Sequence, residues 1–434
     1  MLRVWQVSWG RNMGSGSYVS IGELESLGAI TAIQDGNHGN YHPKASEYTG
    51  SGIPFVMASD IKDGRVDLKG CSRLPKERTD RLRIGFAKSG DVLLTHKGTV
   101  GSVALAPNVP DYLMLTPQVT YYRTASDQLL PAYLAYAFRE PGFQQQMISE
   151  SAQSTRPYIG IQAQRRLRVR YVDIKNQHRI VSILSAYDDL IENNTRRIEI
   201  LEEMARRFYE EWFVQFRFPG HEGVEFKESE LGLIPEGWKV VALEAAVEIN
   251  PKTKVERDGE KVFVPMGALS ETGMVISGWE IKSGNSGAKF QNGDTLVARI
   301  SPCLENGKTG FVDFLPATQP TACGSTEFIV LRSRSLCPEM VYCLSRSDRF
   351  REVAMKSMSG ATGRQRVRVE SLVGYPIAQP ESELVAKYHA FAQPCFKEIR
   401  VLANKNANLR QQRDLLLPKL ISGEIDVSDI PMPT

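Results

Sequence analysis

The chain has 434 residues, 42% of them hydrophobic and 24% charged, with 53 Lys and Arg against 50 Asp and Glu for a formal charge of +3. That length exceeds one ordinary core and fits two or more domains, and the composition excludes a disordered or fibrous chain. The mild charge neither demands nor excludes a polyanionic partner, so its local distribution must decide.

Residues 18–170 read as a mixed α/β lobe, in which β-rich runs such as Asp91–Thr95, Val103–Leu105 and Val119–Tyr122 alternate with Gly, Pro and Asn. A helix is predicted over 131–149. The lobe ends in Arg156–Arg170, which carries Arg156, Arg165, Arg166, Arg168 and Arg170 and no acid, after the small polar residues Ser154 and Thr155. A long helix is then predicted over 177–214. Its apolar positions, Ile180, Leu184, Tyr187, Ile191, Ile198, Leu201, Ala205, Phe208 and Trp212, step by four and three around one polar member, Asn194. That is the a/d seam of a coiled coil, where a lone amide fixes register at some cost in stability.

A second lobe, about 236–380, repeats this style with strand-like Thr295–Ile300, Gly310–Phe314 and Glu327–Arg332. Its basic stretch, Lys356–Val369, holds Lys356, Arg364, Arg366 and Arg368, again without an acid and again beside small residues such as Thr362. A second seam follows in Val385, Tyr388, Ala392, Cys395, Ile399, Leu402, Asn406, Leu409, Arg413 and Leu416. Pro394 should kink this helix or start it late, and Gly423 should stop it.

The halves also match in short segments. Ile53–Ala58 faces Val262–Gly267, Gly90–Leu94 faces Gly293–Val297, Gly98–Val103 faces Gly307–Val312, and Gly142–Gln144 faces Arg349–Arg351. Their common order and nearly constant offset indicate a duplication, hence a pseudo-twofold molecule. Two seam helices in such a molecule should pack antiparallel, with the lobes at opposite ends of a rod. The expected fold class is α+β: two mixed α/β domains joined by two long antiparallel coiled-coil helices. The expected bounds are 1–172, 173–217, 218–380 and 381–434.

No catalytic constellation is legible. Gly307-Lys308-Thr309 resembles the end of a phosphate-binding loop, but position 302 is proline where the first glycine should stand. Asn250-Pro251-Lys252 lacks the second proline and aromatic residue of an amino-methyltransferase motif, and Asp67-Leu68-Lys69 is too short to specify a nuclease. His38 and His42 sit among Gly36, Gly39 and Pro43, which deny them a shared helix face, and no metal site is predicted. The six cysteines form no Cys-x-x-Cys, and five lie in the second half, so reduced thiols are expected. Neither a signal peptide nor an apolar stretch of membrane-spanning length is evident.

What the sequence does offer is paired arginine clusters and polar, glycine-bearing loops just after predicted strands, namely His96-Lys97-Gly98-Thr99 and Arg299 with Asn306 and Lys308. Arginine forks and small hydroxyls suit phosphate and base-edge contacts. The bland alternative is a solvated strand with arginines at every second position; the repetition favours nucleic acid.

The stretches Gly90–Gly101 and Leu115–Arg123 resemble one target-recognition domain of the specificity subunit of type I restriction-modification systems. Ala298–Lys308 and Gly324–Phe328 resemble another, and Leu231–Trp238 is similar to the segment leading into it. The resemblance implies a non-catalytic chain that reads a bipartite, asymmetric double-stranded DNA site, one half per lobe, across a nonspecific spacer set by the helices. It implies docking of two methyltransferase subunits that bind S-adenosylmethionine, and of restriction subunits that use ATP and magnesium. It also implies residence in the cytoplasm of a bacterium or archaeon. On this reading the DNA-facing candidates are His96, Lys97, Thr99, Ser154, Thr155, Arg156, Arg165, Arg299, Asn306, Lys308, Thr362, Arg364 and Arg366. A DNA-modifying or DNA-cleaving enzyme, such as a fused methyltransferase or nuclease, is the alternative.

Overall fold

The matched Gly-Asp pairs prove to be the same structural device built twice. The structure, a computed structural model, describes residues 16–39, 41–152, 157–360 and 365–432. Gly90 and Gly293 turn the chain at φ +85° and +90°, a region in which L side chains are strained. The aspartate that follows closes each turn: Asp91 Oδ2 accepts the Lys88 amide at 2.7 Å and Asp294 Oδ2 the Gln291 amide at 2.8 Å. Each carboxylate then grips an arginine two-pronged on a neighbouring strand. Arg123 donates from Nε at 2.9 Å and Nη2 at 2.7 Å to Asp91, and Arg332 donates from both at 2.7 Å to Asp294. Burial pushes the Asp294 carboxyl up, and the Arg332 fork opposes that shift.

These clamps join the central strands of one sheet in each lobe. In the first lobe the strand order is Ile30–Asp35, Val119–Thr124, Val92–Thr95, Val103–Leu105; in the second it is Val247–Ile249, Phe328–Ser333, Thr295–Ala298, Thr309–Phe311. A second four-stranded sheet also repeats its order. Ser72–Leu74, Ile53–Val56, Leu113–Leu115, Phe86–Ala87 corresponds to Glu280–Ser283, Glu260–Val264, Thr321–Gly324, Ala288–Gln291, each with one parallel pair at its centre. A two-stranded ribbon closes each lobe, Ser17–Ser20 with Arg168–Tyr171 and Lys239–Ala242 with Pro376–Gln379.

The helix expected over 131–149 is two helices, Pro131–Arg139 and Pro141–Ser151, because Pro141 has no amide to continue the first and is preorganised to start the second. Glu140 caps the Phe143 amide at 2.9 Å, as Ser347 caps Phe350 at 3.3 Å. Both phenylalanines are 1% exposed, so the Gly142–Gln144 and Arg349–Arg351 match marks a helix cap with a core anchor. The match of Gly98–Val103 to Gly307–Val312 needs correction. Val103 pairs with Leu94 and Thr309 with Val297, so the intervening loop has eight residues, 95–102, in the first lobe and eleven, 298–308, in the second.

The long helices are Ile174–Tyr209, extended by a π-helical turn at Glu210–Val214, and Ser382–Ser422. Pro394 lies exposed within the second and neither delays nor ends it. Ile180, Leu184, Ile191 and Asn194 are buried on the first, Tyr187, Ile198 and Leu201 are half-buried, and Phe208 packs on Phe391 with ring centroids 4.3 Å apart. On the second, Val385, Tyr388, Ile399, Leu402 and Asn406 are buried and Leu409 is half-buried.

The chain divides into two compact units, 1–189 with 409–434, and 190–408. The boundary cuts through both long helices, whereas the bounds drawn from sequence at 172, 217 and 380 set the helices apart from the lobes. In the first unit Ile180 and Leu184 share a core with Leu417, Leu420 and Ile421, while Asp188 binds the Tyr136 hydroxyl at 2.7 Å. In the second, Asn194 donates its amide to Asn406 at 2.9 Å, and the Tyr388 hydroxyl donates to the Ala205 carbonyl at 3.0 Å. Within each unit the helix segments therefore run antiparallel.

The clamps make an asymmetric prediction. Arg123→Ala strands a carboxylate that is 3% exposed and should cost about 3–5 kcal/mol, the usual loss when one partner of a buried pair is removed. Asp91→Asn keeps an oxygen for the Lys88 amide and leaves an arginine with 30% exposure, which can swing to water, so it should cost less. Thermal melts of the two variants test this; equal losses would show that the buried carboxylate is not the expensive partner.

Candidate nucleic-acid interface

At the ends of the clamped strands opposite the Asp–Arg pairs, both lobes build one backbone cradle. In the first lobe the His96 amide donates to the Gln118 carbonyl at 2.9 Å, the Ile159 amide to the His96 carbonyl at 3.0 Å, and the Gly98 amide to the Pro157 carbonyl at 3.3 Å. In the second the Arg299 amide donates to the Glu327 carbonyl at 2.9 Å, the Val367 amide to the Arg299 carbonyl at 2.8 Å, and the Ser301 amide to the Gln365 carbonyl at 3.0 Å. The same hydrogen bonds recur in the same order. They pair His96 with Arg299, Gln118 with Glu327, and Tyr158 with Arg366 as structural counterparts. Antiparallel bridges between Lys97 and Tyr158 and between Ile300 and Arg366 complete the equivalence.

The side chains on this shared frame differ. In the first cradle Tyr158 is 46% exposed and stands edge-on to His96, ring centroids 5.6 Å apart, with the Lys97 ammonium 5.9 Å from its own ring centre. Lys97 and Thr99 are exposed beside it. This is a flat aromatic face with a cation on its rim, chemistry suited to a sugar, a base face or a phosphate.

His96 itself is not available to a ligand. It is 1% exposed, its ring nitrogens meet Thr120 Oγ1 and the Pro117 carbonyl, and burial pushes its imidazole pKa down against the pull of Asp35. Its part is to hold the loop.

In the second cradle Glu327 gathers two arginines. Arg366 donates from Nε to both carboxylate oxygens at 3.0 Å and from Nη2 at 2.7 Å, while Arg299 Nε lies 3.7 Å away. The Arg366 guanidinium holds the Glu327 carboxyl below its ordinary range, so the pair is intact at neutral pH and is lost only on acidification. Arg366 is presented in a fixed orientation, as bidentate reading of a base edge requires. In the longer loop Asn306 is turned to Glu271 at 3.2 Å, and Lys308 has no ion pair among the described residues.

Most of the arginines near the first cradle are committed within the fold, a correction to their reading as a basic patch. Arg165 binds Glu25 two-pronged at 2.7 and 3.0 Å, Arg166 reaches Glu150 at 3.0 Å, Arg168 the Tyr18 carbonyl at 2.6 Å and Arg170 the Ile421 carbonyl at 3.0 Å. Ser154, Thr155, Arg156, Thr362 and Arg364 lie outside the described residues. Gln118, Tyr158 and Glu327 join the cradles although the sequence reading passed them over. The available signal was their place: Gln118 directly precedes the predicted strand Val119–Tyr122, Glu327 opens the predicted strand Glu327–Arg332, and Tyr158 and Arg366 each follow a small polar run.

The two lobes thus share one fold and one cradle design. Residues 24–203 match the family described as "Type I restriction modification DNA specificity domain". The chain is 25% identical over 401 residues to the MjaIX type I restriction enzyme specificity subunit of Methanocaldococcus jannaschii, covering 89% of this chain and 90% of that one. It is 23% identical over 440 residues to the HindI specificity subunit of Haemophilus influenzae, covering 86% and 94%. Its fold is similar to the crystal structure of a type I restriction-modification S subunit from M. genitalium, with a TM-score of 0.54, 15% identity and coverage of 95% and 97%. The chain is therefore similar, through residues 24–203 and along most of its length, to DNA specificity subunits of type I restriction-modification systems. No helix among the described residues is long and apolar enough to cross a membrane.

Glu327 gives the site its test. Glu327→Gln places in the second cradle an amide like that of Gln118 and releases Arg299 and Arg366. Affinity for nonspecific duplex DNA should rise, and the slope of log affinity on log salt should steepen by about one for each phosphate newly met. Salt-titrated fluorescence anisotropy reads both. If neither changes, these arginines do not face DNA.

Proposed function

We propose that the chain reads one bipartite, asymmetric DNA site, half in each cradle, and that the long helices set the spacer between the halves. The observation that carries this reading is the twin cradle: identical backbone hydrogen bonds support Lys97, Gln118 and Tyr158 in one lobe and Arg299, Glu327 and Arg366 in the other. A conserved frame with exchanged side chains suits two half-sites of different sequence, because base identity is read by side-chain donors and acceptors. Loops of eight and eleven residues beside the two cradles add to the difference.

On this proposal the chain docks two methyltransferase subunits, and restriction subunits in the full assembly. The partners then supply the chemistry: S-adenosylmethionine is bound by the methyltransferase subunits, and ATP and magnesium by the restriction subunits.

Seven residues inserted after Asp189 and seven after Asn408 preserve the heptad phase of both helices and lengthen each by about 10 Å at roughly 1.5 Å per residue. Methylome mapping of cells carrying this variant with its partner subunits should show both half-sites unchanged and the spacer longer by about three base pairs, at roughly 3.4 Å each. Altered half-sites at an unchanged spacer would refute the assignment of spacing to the helices and of reading to the cradles.

A further inference from the structure

The second lobe contains a polar trio, two of its members buried, that its twin lacks. Cys337 is the N-cap of helix Pro338–Arg346, Glu339 lies in that helix's first turn, and His389 comes from the second long helix. Cys337 Sγ, a Glu339 carboxylate oxygen and a His389 ring nitrogen all lie within 4.8 Å of one another, and His389 Nδ1 is 2.8 Å from Glu339 Oε2. Cys337 is 7% exposed and Glu339 3%, whereas the His389 side chain is 37% exposed and leaves a path to solvent. Around them is the largest apolar cluster of the second unit.

The duplication supplies the control. Pro131 and Pro338 occupy the same first position of the same helix, so the counterparts of Cys337 and Glu339 are Leu130 and Ala132. Both long helices begin three residues after the closing strand, at Ile174 after Tyr171 and at Ser382 after Gln379, which makes Val181 the counterpart of His389. The first lobe thus folds with apolar side chains at all three positions. The architecture does not require a carboxylate, an imidazole and a thiol here, and burying a carboxylate in an apolar cluster is costly.

We propose that Cys337, Glu339 and His389 are the protein ligands of a zinc(II) site. Thiolate, imidazole and carboxylate are the three donor types zinc takes, at about 2.3, 2.0–2.1 and 2.0–2.2 Å, and three protein donors leave a fourth tetrahedral position for water on the open His389 side. The two anionic donors balance the dication, so the filled site is neutral where it meets the core. Binding forms the Zn–S bond and releases the Cys337 thiol proton to solvent; no electrons move. The ion ties the start of helix Pro338–Arg346 to the second long helix. This is a structural role, separate from DNA reading.

The test uses the full-length chain, stripped with chelator and titrated with cobalt(II) and then zinc(II). Wild type should take up one cobalt per chain with thiolate-to-cobalt charge-transfer absorption, and zinc should displace it. His389→Val, at the open rim, should weaken uptake by about tenfold or more. The triple variant Cys337→Leu, Glu339→Ala, His389→Val carries the first lobe's own residues; it should keep the wild-type circular dichroism and bind no metal. A folded wild type that takes up no cobalt, or a His389→Val or triple variant that binds as wild type does, overturns the site.

Discussion

The Asp–Arg clamp is the constraint on which the twin cradles depend. Asp91 stands at the start of strand Val92–Thr95, and Arg123 lies near the end of strand Val119–Thr124. Because the strands are antiparallel, the other ends of the same two strands carry His96 and Gln118, the two sides of the cradle. A one-residue slip in an antiparallel pair would turn every side chain to the opposite face. A buried two-pronged ion pair at one end forbids that slip, and so fixes which side chains face outward at the other. Asp294 and Arg332 do the same for Arg299 and Glu327.

A frame held this firmly leaves side chains free to diverge, and the lobes show where they have done so. Gln118 against Glu327, Tyr158 against Arg366, and a loop longer by three residues all sit on an unchanged pattern of backbone bonds. The helix seam breaks symmetry too. Counted from the helix starts, the counterpart of Asn194 is Leu402 and that of Asn406 is Ile198, so the two asparagines are not copies of each other. They meet instead, and Asn406 also donates to the Ile191 carbonyl at 3.2 Å and to Thr195 Oγ1 at 3.1 Å. One hydrogen-bonded polar layer within a leucine-and-isoleucine seam specifies a single register, because any shift would bury unpaired amides.

How much of this the sequence disclosed depends on the range of each interaction. The seams were legible because a helix repeats its contacts every three or four residues, and the duplication because whole segments recur in order. The Gly-Asp match was visible, but its purpose was not, since the arginine that answers Asp91 lies 32 residues further on. The arginine clusters misled for the same reason. Arg165 is answered by Glu25, 140 residues earlier, so a stretch with no acid of its own is neutralised from afar. His96 looked like a loop ligand because it follows a strand; Thr120 and Pro117, which enclose it, belong to another strand and its approach. The helix break at Pro141 was a local signal, and the reading of 131–149 ran one helix through it.

The arginines spent inside the fold bear on how DNA is met. The formal charge is only +3 over 434 residues, so net charge supplies little long-range pull on a polyanion, and Arg123, Arg165, Arg332 and Arg366 are each held by a carboxylate. On the proposed function, discrimination would rest on fit at the cradles rather than on counterion release, which is blind to sequence. An arginine already seated on Glu327 has less freedom to lose when it meets a base, and it is poorly placed to swing to whichever phosphate is nearest. On that proposal the carboxylate would lower raw affinity and sharpen selection.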